Sequence, residues 1–482
     1  MFDRIYLIML ESFLHGFTGK KDTTGYGCGY SNSSHLGNLQ GIIDAIPYIV
    51  ELGMDSIWIT PVFDADANKP YGKSMGNIVN CQLDSTAYFA RDYFKIDPMF
   101  GTLEDYKRLV LTAHYYGLYI IMDFAIGHNK GNVKPSPNGL RVSEPVNFND
   151  RETIEFFKEV FVYWIKNTNI DGFRLDQAYQ APTNVWIELR NTVATYNRTF
   201  FLGEILCQGK LATKQGLGVC NAVLPLSLED EEKNTINLTS GNGLNHAFDF
   251  GMMYRLRECI AGVDINGVKV DKVSDTSFLV KGLEEQNKLK PGVTLCGLFT
   301  NHDHPRLGNM ILRGGLVNNH DDPRYWDRHV CAFGFLAQYP GIIQIFYNDE
   351  LGALVPGLSS RIENSCAERG YCDDNMGRVQ GRIDNYGVNQ EKLRNIVKQF
   401  MLMRKNIPCM RSRITKVYTA NSVLIALRGN NILFIMNLSE YTEIRNLPIG
   451  FRKIIYSSKP VHIQLGYIYI QGLSVVFLEK CN

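Results

Sequence analysis

The chain of 482 residues carries 50 lysines and arginines against 49 aspartates and glutamates, so neither nucleic acid nor an anionic membrane surface is expected as a partner. Its 45% apolar and 21% charged residues are those of a soluble globular protein, and its length exceeds one ordinary core, which predicts a large domain with a smaller one attached. No apolar run reaches the roughly 18 to 20 residues that span a bilayer, and Met1-Phe2-Asp3-Arg4 leads straight into an apolar strand, with no room for a signal peptide; a cytoplasmic monomer is the expectation, with a secreted chain whose leader was removed as the alternative.

Strand-like and helix-like segments then alternate. Residues 5–10 read as a strand, 39–52 as a helix, 56–60 as a strand ending at Pro61, 103–116 as a helix closed by Gly117, and 118–122 as a third apolar strand. A helix over 151–166, a fourth strand over 171–175, a helix over 183–196 and a fifth strand over 200–202 follow. The sixth strand is placed at 247–250 before a helix at 253–260, the seventh at 295–300 and the eighth at 342–347. Apolar strands alternating with amphipathic helices imply a parallel sheet, and eight such units over about 400 residues fit a (β/α)8 TIM barrel with insertions.

After a helix at 391–405 the period changes to short strands at 423–427, 432–436, 454–456, 468–470 and 474–478, separated by turns containing Gly, Asn or Ser. This predicts a catalytic barrel over 1–411, with a short insertion at 124–150 after strand 3, and a C-terminal antiparallel β-sandwich domain over 412–482. The eleven cysteines form no Cys-x-x-Cys motif, and only Cys366 and Cys372, close together in a loop, invite a disulfide. Four Asn-x-Ser/Thr sites, at Asn32, Asn197, Asn237 and Asn437, are what chance gives in an Asn-rich chain.

In a barrel of this type chemistry sits at the carboxyl ends of the strands. Strand 4 carries Arg174 and Asp176, two apart and therefore on one face, where a guanidinium can hold a carboxylate ionised and oriented. Strand 3 ends in Asp123 with His128 five residues on, strand 5 runs into Gly203-Glu204, and strand 7 leads to Asn301-His302-Asp303. Singly each of these could be a structural charge at a strand end. Several carboxylates and two histidines converging on one barrel mouth are a site.

In this order the motifs resemble the α-amylase family of glycoside hydrolases (family 13). Asp123-Phe-Ala-Ile-Gly-His128, Gly172-Phe-Arg-Leu-Asp176, Gly203-Glu204 and Phe299-Thr-Asn-His-Asp303 look like its four conserved regions, and Trp58-Ile-Thr-Pro61, Tyr88 and Phe346-Tyr-Asn-Asp-Glu350 match its strand 2, the following loop and strand 8. The resemblance implies a retaining enzyme acting on α-glucosidic bonds, with Asp176 as nucleophile, Glu204 as acid/base and Asp303 binding sugar hydroxyls in the transition state. It implies substrate contacts from Tyr88, stacked on the sugar, and from His128, His302, Arg174 and Asp123, with Tyr179 on the acceptor side.

The departures bear on cofactor and substrate. Gly127 stands where the family often has an Asn that helps hold a structural calcium, so no cofactor and no metal ligand is expected at that place, although the loop at 23–37 could build another site. Gln177-Ala-Tyr179-Gln180 replaces the Lys-His frequent in α-amylases, and Thr86 replaces a His before the stacking Tyr. A glucanotransferase would use the same three carboxylates; a non-catalytic carbohydrate-binding relative is expected to have lost at least one, and none is lost here.

Overall fold

The computed structural model describes residues 2–16, 37–66, 86–206, 227–239, 241–354 and 378–481. Cys366, Cys372, Asn32 and all of the 23–37 loop except Gly37 lie outside the described residues. Eight parallel strands close into a barrel in sequence order: β1 (Arg4–Ile8), β2 (Ser56–Ile59), β3 (Tyr119–Ala125), β4 (Gly172–Asp176), β5 (Phe200–Gly203), β6 (His246–Phe248), β7 (Thr294–Gly297) and β8 (Ile342–Phe346), with β8 pairing back onto β1. Strand 7 stops three residues earlier than expected, leaving Leu298 to Thr300 to turn toward the mouth of the barrel. Strand 6 is a three-residue piece, shorter than expected, because Asp249 already caps the next helix through Met252 N at 2.9 Å.

The helices outside the barrel are α1 (Leu39–Glu51), α2 (Leu103–Tyr115), α3 (Arg151–Thr168), α4 (Thr183–Ala194), α5 (Leu228–Leu238), α6 (Phe250–Ala261), α7 (Ser277–Glu285), α8 (Leu307–Arg313), α9 (Pro323–Gln338) and α10 (Val388–Asn406). Their ends are written locally. Thr102 and Asp105 form a reciprocal capping box on α2, Asp150 caps α3 and Asn169 ends it in the left-handed region, and Asp322-Pro323 opens α9. Between β3 and α3, residues 126–150 form no helix or strand, and the segment lies against a small antiparallel pair, Phe63–Asp64 with Asp92–Ile96.

The C-terminal domain follows a single turn, Pro408–Arg411. Its first sheet has the order β9 (Ile414–Ala420), β10 (Val423–Arg428), β11 (Ile432–Asn437), β16 (Ser474–Lys480), β13 (Phe451–Ser457); its second has β12 (Glu443–Asn446), β15 (Tyr467–Ile470), β14 (Val461–Gln464). The central strands obey a strict period of two. Leu424, Ala426, Ile432, Phe434, Met436, Val475 and Phe477 join the barrel core, while Val423, Leu433, Ile435, Val476 and Leu478 face the small sheet. Barrel helices, a middle sheet and an outer sheet thus form three successive layers.

Candidate active site

Strand 4 has to satisfy two environments at once. Phe173 and Leu175 point outward into the helix layer, with Phe173 4.6 Å from Phe161 and 5.5 Å from Phe201, so the alternate residues Arg174 and Asp176 turn inward. Parallel register sets Asp123 beside Arg174 and Ala125 beside Asp176. The charges expected from the sequence therefore meet at the inner rim of the barrel.

Arg174 has no exposed surface and organises the group. Its Nη1 donates to Asp176 Oδ1 at 2.7 Å and to both oxygens of Asp123 at 2.9 and 3.0 Å. Its Nη2 lies 2.8 Å from Glu204 Oε2, as an ion pair off the hydrogen-bond axis. The guanidinium also packs over the Trp58 ring, 4.8 Å from its centre. Glu204 is held by its own backbone, whose N donates to Leu175 O at 2.9 Å and whose carbonyl accepts from Ala178 N at 2.8 Å; Gln177 N then donates to Glu204 Oε2 at 3.0 Å. That last donor exists because Gln177 adopts a left-handed φ of 40° just after the strand.

Asp303 enters from the turn after β7. Asn301 Oδ1 caps that turn, accepting from Asp303 N at 3.0 Å and meeting His304 Nδ1 at 2.6 Å. Arg378, which follows β8, fixes the carboxylate, donating from Nη2 to Asp303 Oδ1 at 2.9 Å and from Nε to His302 O at 2.8 Å. His302 stacks on Tyr88 with rings 5.6 Å apart and 3° from parallel. Tyr88 donates to Asp123 Oδ2 at 2.7 Å, so its oxygen is left to accept from His302 Nε2 at 2.8 Å. His128 Nε2 stands 3.6 Å from Asp176 Oδ2, and Tyr179 OH donates to Gln177 Oε1 at 3.0 Å on the outer side.

Burial, resisted by the Arg174 guanidinium, drives the protonation states apart. Glu204 is pushed up to about 8 by burial, with the charges of Asp176 and Asp303 adding to it against Arg174. Asp176 rises only to about 6, since Arg174 offsets more of the burial that Asp123 and Asp303 reinforce. For Asp303 burial also acts upward, but His302, Arg378 and Arg174 outweigh it and hold the carboxyl below its ordinary value. Burial lowers His302 to about 3, so it serves as a neutral imidazole, and it lowers His128 as well. Asp123 on the floor is likewise raised by burial to about 6, so at neutral pH Asp123, Asp176 and Asp303 are ionised around one carboxylic acid, Glu204.

Two expected ligand contacts need correcting. Asp123 and Arg174 are fully buried, and both Asp123 oxygens are taken by Arg174, Tyr88 and the Trp58 Nε1–H at 3.0 Å, so these residues form the floor that orients the others and present no surface of their own. Arg174 also does not simply keep Asp176 at an ordinary carboxylate value, because burial wins over its charge. Sequence reasoning misses Trp58 and Arg378 as site residues. Trp58 has a signal in its place at the end of strand 2, whereas Arg378 lies in no apolar strand and carries none.

Comparison with known proteins points to a family. Residues 21–137 match the family model described as alpha amylase, catalytic domain. The solved structure of a variant of AmyP in complex with maltotriose superposes with a TM-score of 0.80 at 30% identity, covering 99% of this chain and 96% of that one. The chain belongs to the α-amylase family. Alpha-amylase 2 of Dictyoglomus thermophilum is 30% identical over 217 residues, 40% of this chain and 35% of that protein, and oligo-1,6-glucosidase of Heyndrickxia coagulans is 40% identical over 98 residues, 20% of this chain and 15% of that protein. The matched stretch thus spans about a third or less of the length of these curated relatives. The closed eight-stranded barrel and the C-terminal β layers are the architecture expected of the family.

Proposed function

We propose that this protein is a retaining glycoside hydrolase that cleaves α-glucosidic bonds in α-glucans or oligosaccharides. One observation carries the reading: a single guanidinium, Arg174, touches Asp176 at 2.7 Å and Glu204 at 2.8 Å, while their environments leave the first ionised and the second protonated at neutral pH. In the first step an Asp176 oxygen bonds to the anomeric carbon as the glycosidic C–O bond breaks, and Glu204 gives its proton to the departing oxygen. In the second, the Glu204 carboxylate takes a proton from water, the water oxygen bonds to the anomeric carbon, and the ester to Asp176 is released.

Asp303, ionised and clamped by Arg378, accepts from hydroxyls of the reacting sugar and stabilises positive charge as it develops on the ring. His128, at the edge of Asp176, donates to a neighbouring hydroxyl, and Tyr88 and His302 line the same side. Tyr179, half-buried beyond Gln177, faces the leaving portion of the chain. The AmyP complexes with maltose and maltotriose support an oligosaccharide of glucose as the ligand class. NMR of the first product formed from a maltooligosaccharide should show the α anomer, and Asp176→Asn should lose several orders of magnitude in turnover with its fold intact. A β anomer formed first would overturn the role of Asp176.

A further inference from the structure

A lysine without exposed surface demands a structural reason. Among the described residues Lys130 is the only buried lysine, with 0% exposure. It lies at the start of the irregular segment between β3 and α3, two residues after His128. Its Nζ donates to the main-chain oxygen of Asp66 at 3.0 Å, and its backbone N donates to Ala90 O at 3.1 Å. Both acceptors belong to the stretch that leaves strand 2 and carries Tyr88.

The surrounding contacts stitch the same two segments together. Arg91 Nη1 pairs with Asp66 Oδ2 at 2.8 Å, and its Nε donates to Asn132 O at 3.3 Å. Lys134 N donates to Arg91 O at 2.8 Å while its Nζ reaches Asp92 Oδ2 at 3.3 Å, and the Tyr93 hydroxyl lies within hydrogen-bond reach of Ala125 O and His128 O at 2.9 and 3.3 Å. Lys130 is the buried centre of this seam and Arg91 and Lys134 are its more exposed margin.

A calcium ion is what the family resemblance implies at this junction, and the residues present do not fit one. Gly127 supplies no side-chain oxygen, and the Gln180 side chain closes over it so tightly that a β-carbon at position 127 would overlap Gln180 Oε1. Among the described residues no three His, Cys, Asp or Glu side chains are grouped to hold a metal. Calcium gathers about six to eight oxygens from separate segments; an ammonium gathers oxygens with three N–H donors and brings its charge on a covalent tether.

We infer that the Lys130 ammonium is the resident cation of this junction, a built-in replacement for a divalent ion that ties the segment carrying His128 to the segment carrying Tyr88. Burying it is costly unless its N–H groups are met by oxygens, so its contacts are obligatory and the two segments must stay together for as long as the charge is buried. The inference does not depend on the substrate, and its test reads stability. The melting temperature of the full-length protein after dialysis against chelator should equal that measured with added calcium.

Lys130→Met keeps the apolar stem and removes the charge. It should melt several degrees lower and be cleaved faster by protease within residues 126–150, and calcium should not restore it; Lys130→Arg should regain most of the loss. Should the Met variant prove insoluble, the Arg variant and the chelator experiment on the unmodified protein still decide. A wild-type protein that loses stability in chelator and regains it with calcium, or a Lys130→Met protein with wild-type melting and proteolysis, overturns the assignment.

Discussion

At the scale of single residues, one arginine and one buried setting produce two different carboxyl groups. Asp176 must be ionised to attack and Glu204 protonated to donate, so kcat/KM should rise as pH passes about 6 and fall as it passes about 8. Glu204→Gln removes the acid, which should cost roughly 10²–10⁴-fold on a natural substrate. With an activated leaving group such as α-glucosyl fluoride it should react slowly, accumulate glycosyl-enzyme and lose the alkaline limb. An unchanged alkaline limb in that variant would assign the upper transition to another group. Stability carries the same signature with a definite sign. The folded-state value of Glu204 lies above its ordinary 4.5, so the contribution of the neutral acid is full below that value and is lost as pH rises through about 8. Glu204→Gln should therefore melt higher than the wild type above about pH 8, which calorimetry across pH would read directly. These residues were legible in the sequence because each closes an apolar strand, where an unused charge is expensive. Arg378 and Gln180 were not: Arg378 meets Asp303 across 75 residues, and Gln180 meets His128 Nδ1 at 3.4 Å across 52, contacts that only the tertiary fold creates.

At the scale of elements, caps and periodicity placed the barrel strands and most of the early helices to within a few residues, since the barrel strands are buried beyond their first residues and the helices amphipathic. In the C-terminal domain the strands left out were β9, β12 and β14, whose residues are only half-buried or exposed, with Lys416 in β9, Glu443 in β12 and His462 in β14, so no apolar run marks them. They become strands because neighbouring strands offer them hydrogen-bond partners, as β10 does for β9 and β15 for the other two. Helix α9 shows packing of the opposite kind. Gly334 lies in its middle, and a β-carbon there would stand 2.9 and 3.0 Å from the two methyls of Val475 in β16. Only a glycine lets helix and sheet approach this closely, which outweighs its helix penalty of about 1 kcal/mol. Gly334→Leu should then destabilise by on the order of 1–3 kcal/mol through overpacking, with barrel chemistry unchanged in the fraction that stays folded. A variant as stable as the wild type in denaturant titration would show that this interface has slack.

At the scale of the whole molecule, the barrel and the C-terminal domain share one core. Phe400 of α10 packs 4.8 Å from Tyr456 and 5.9 Å from Phe477, and Phe477 lies 4.9 Å from Phe434. Polar contacts fasten the edges of the same seam: Lys459 with Asp327 at 2.7 Å, Arg324 with Glu440 at 3.2 Å, and Thr276 N to Asn421 O at 3.2 Å. Arg428, fully buried, donates to Met410 O at 2.8 Å and binds Ser412 O, tying the domain to the turn from which it springs. The first sheet of this domain covers α9 and α10, with which it shares its apolar side chains. Removing residues 412–482 would bare Phe400 and the Gly334 face of α9 to water at once, and each large apolar side chain exposed costs about 1.5–3 kcal/mol. Against a net stability of roughly 5–15 kcal/mol for a whole fold, a handful of such exposures is decisive. The truncated chain should therefore be insoluble, or bind a hydrophobic dye and melt well below the full-length protein. A soluble 1–411 fragment with full activity and an unchanged melting temperature would mean that the barrel is stable alone and that the shared core is incidental to it.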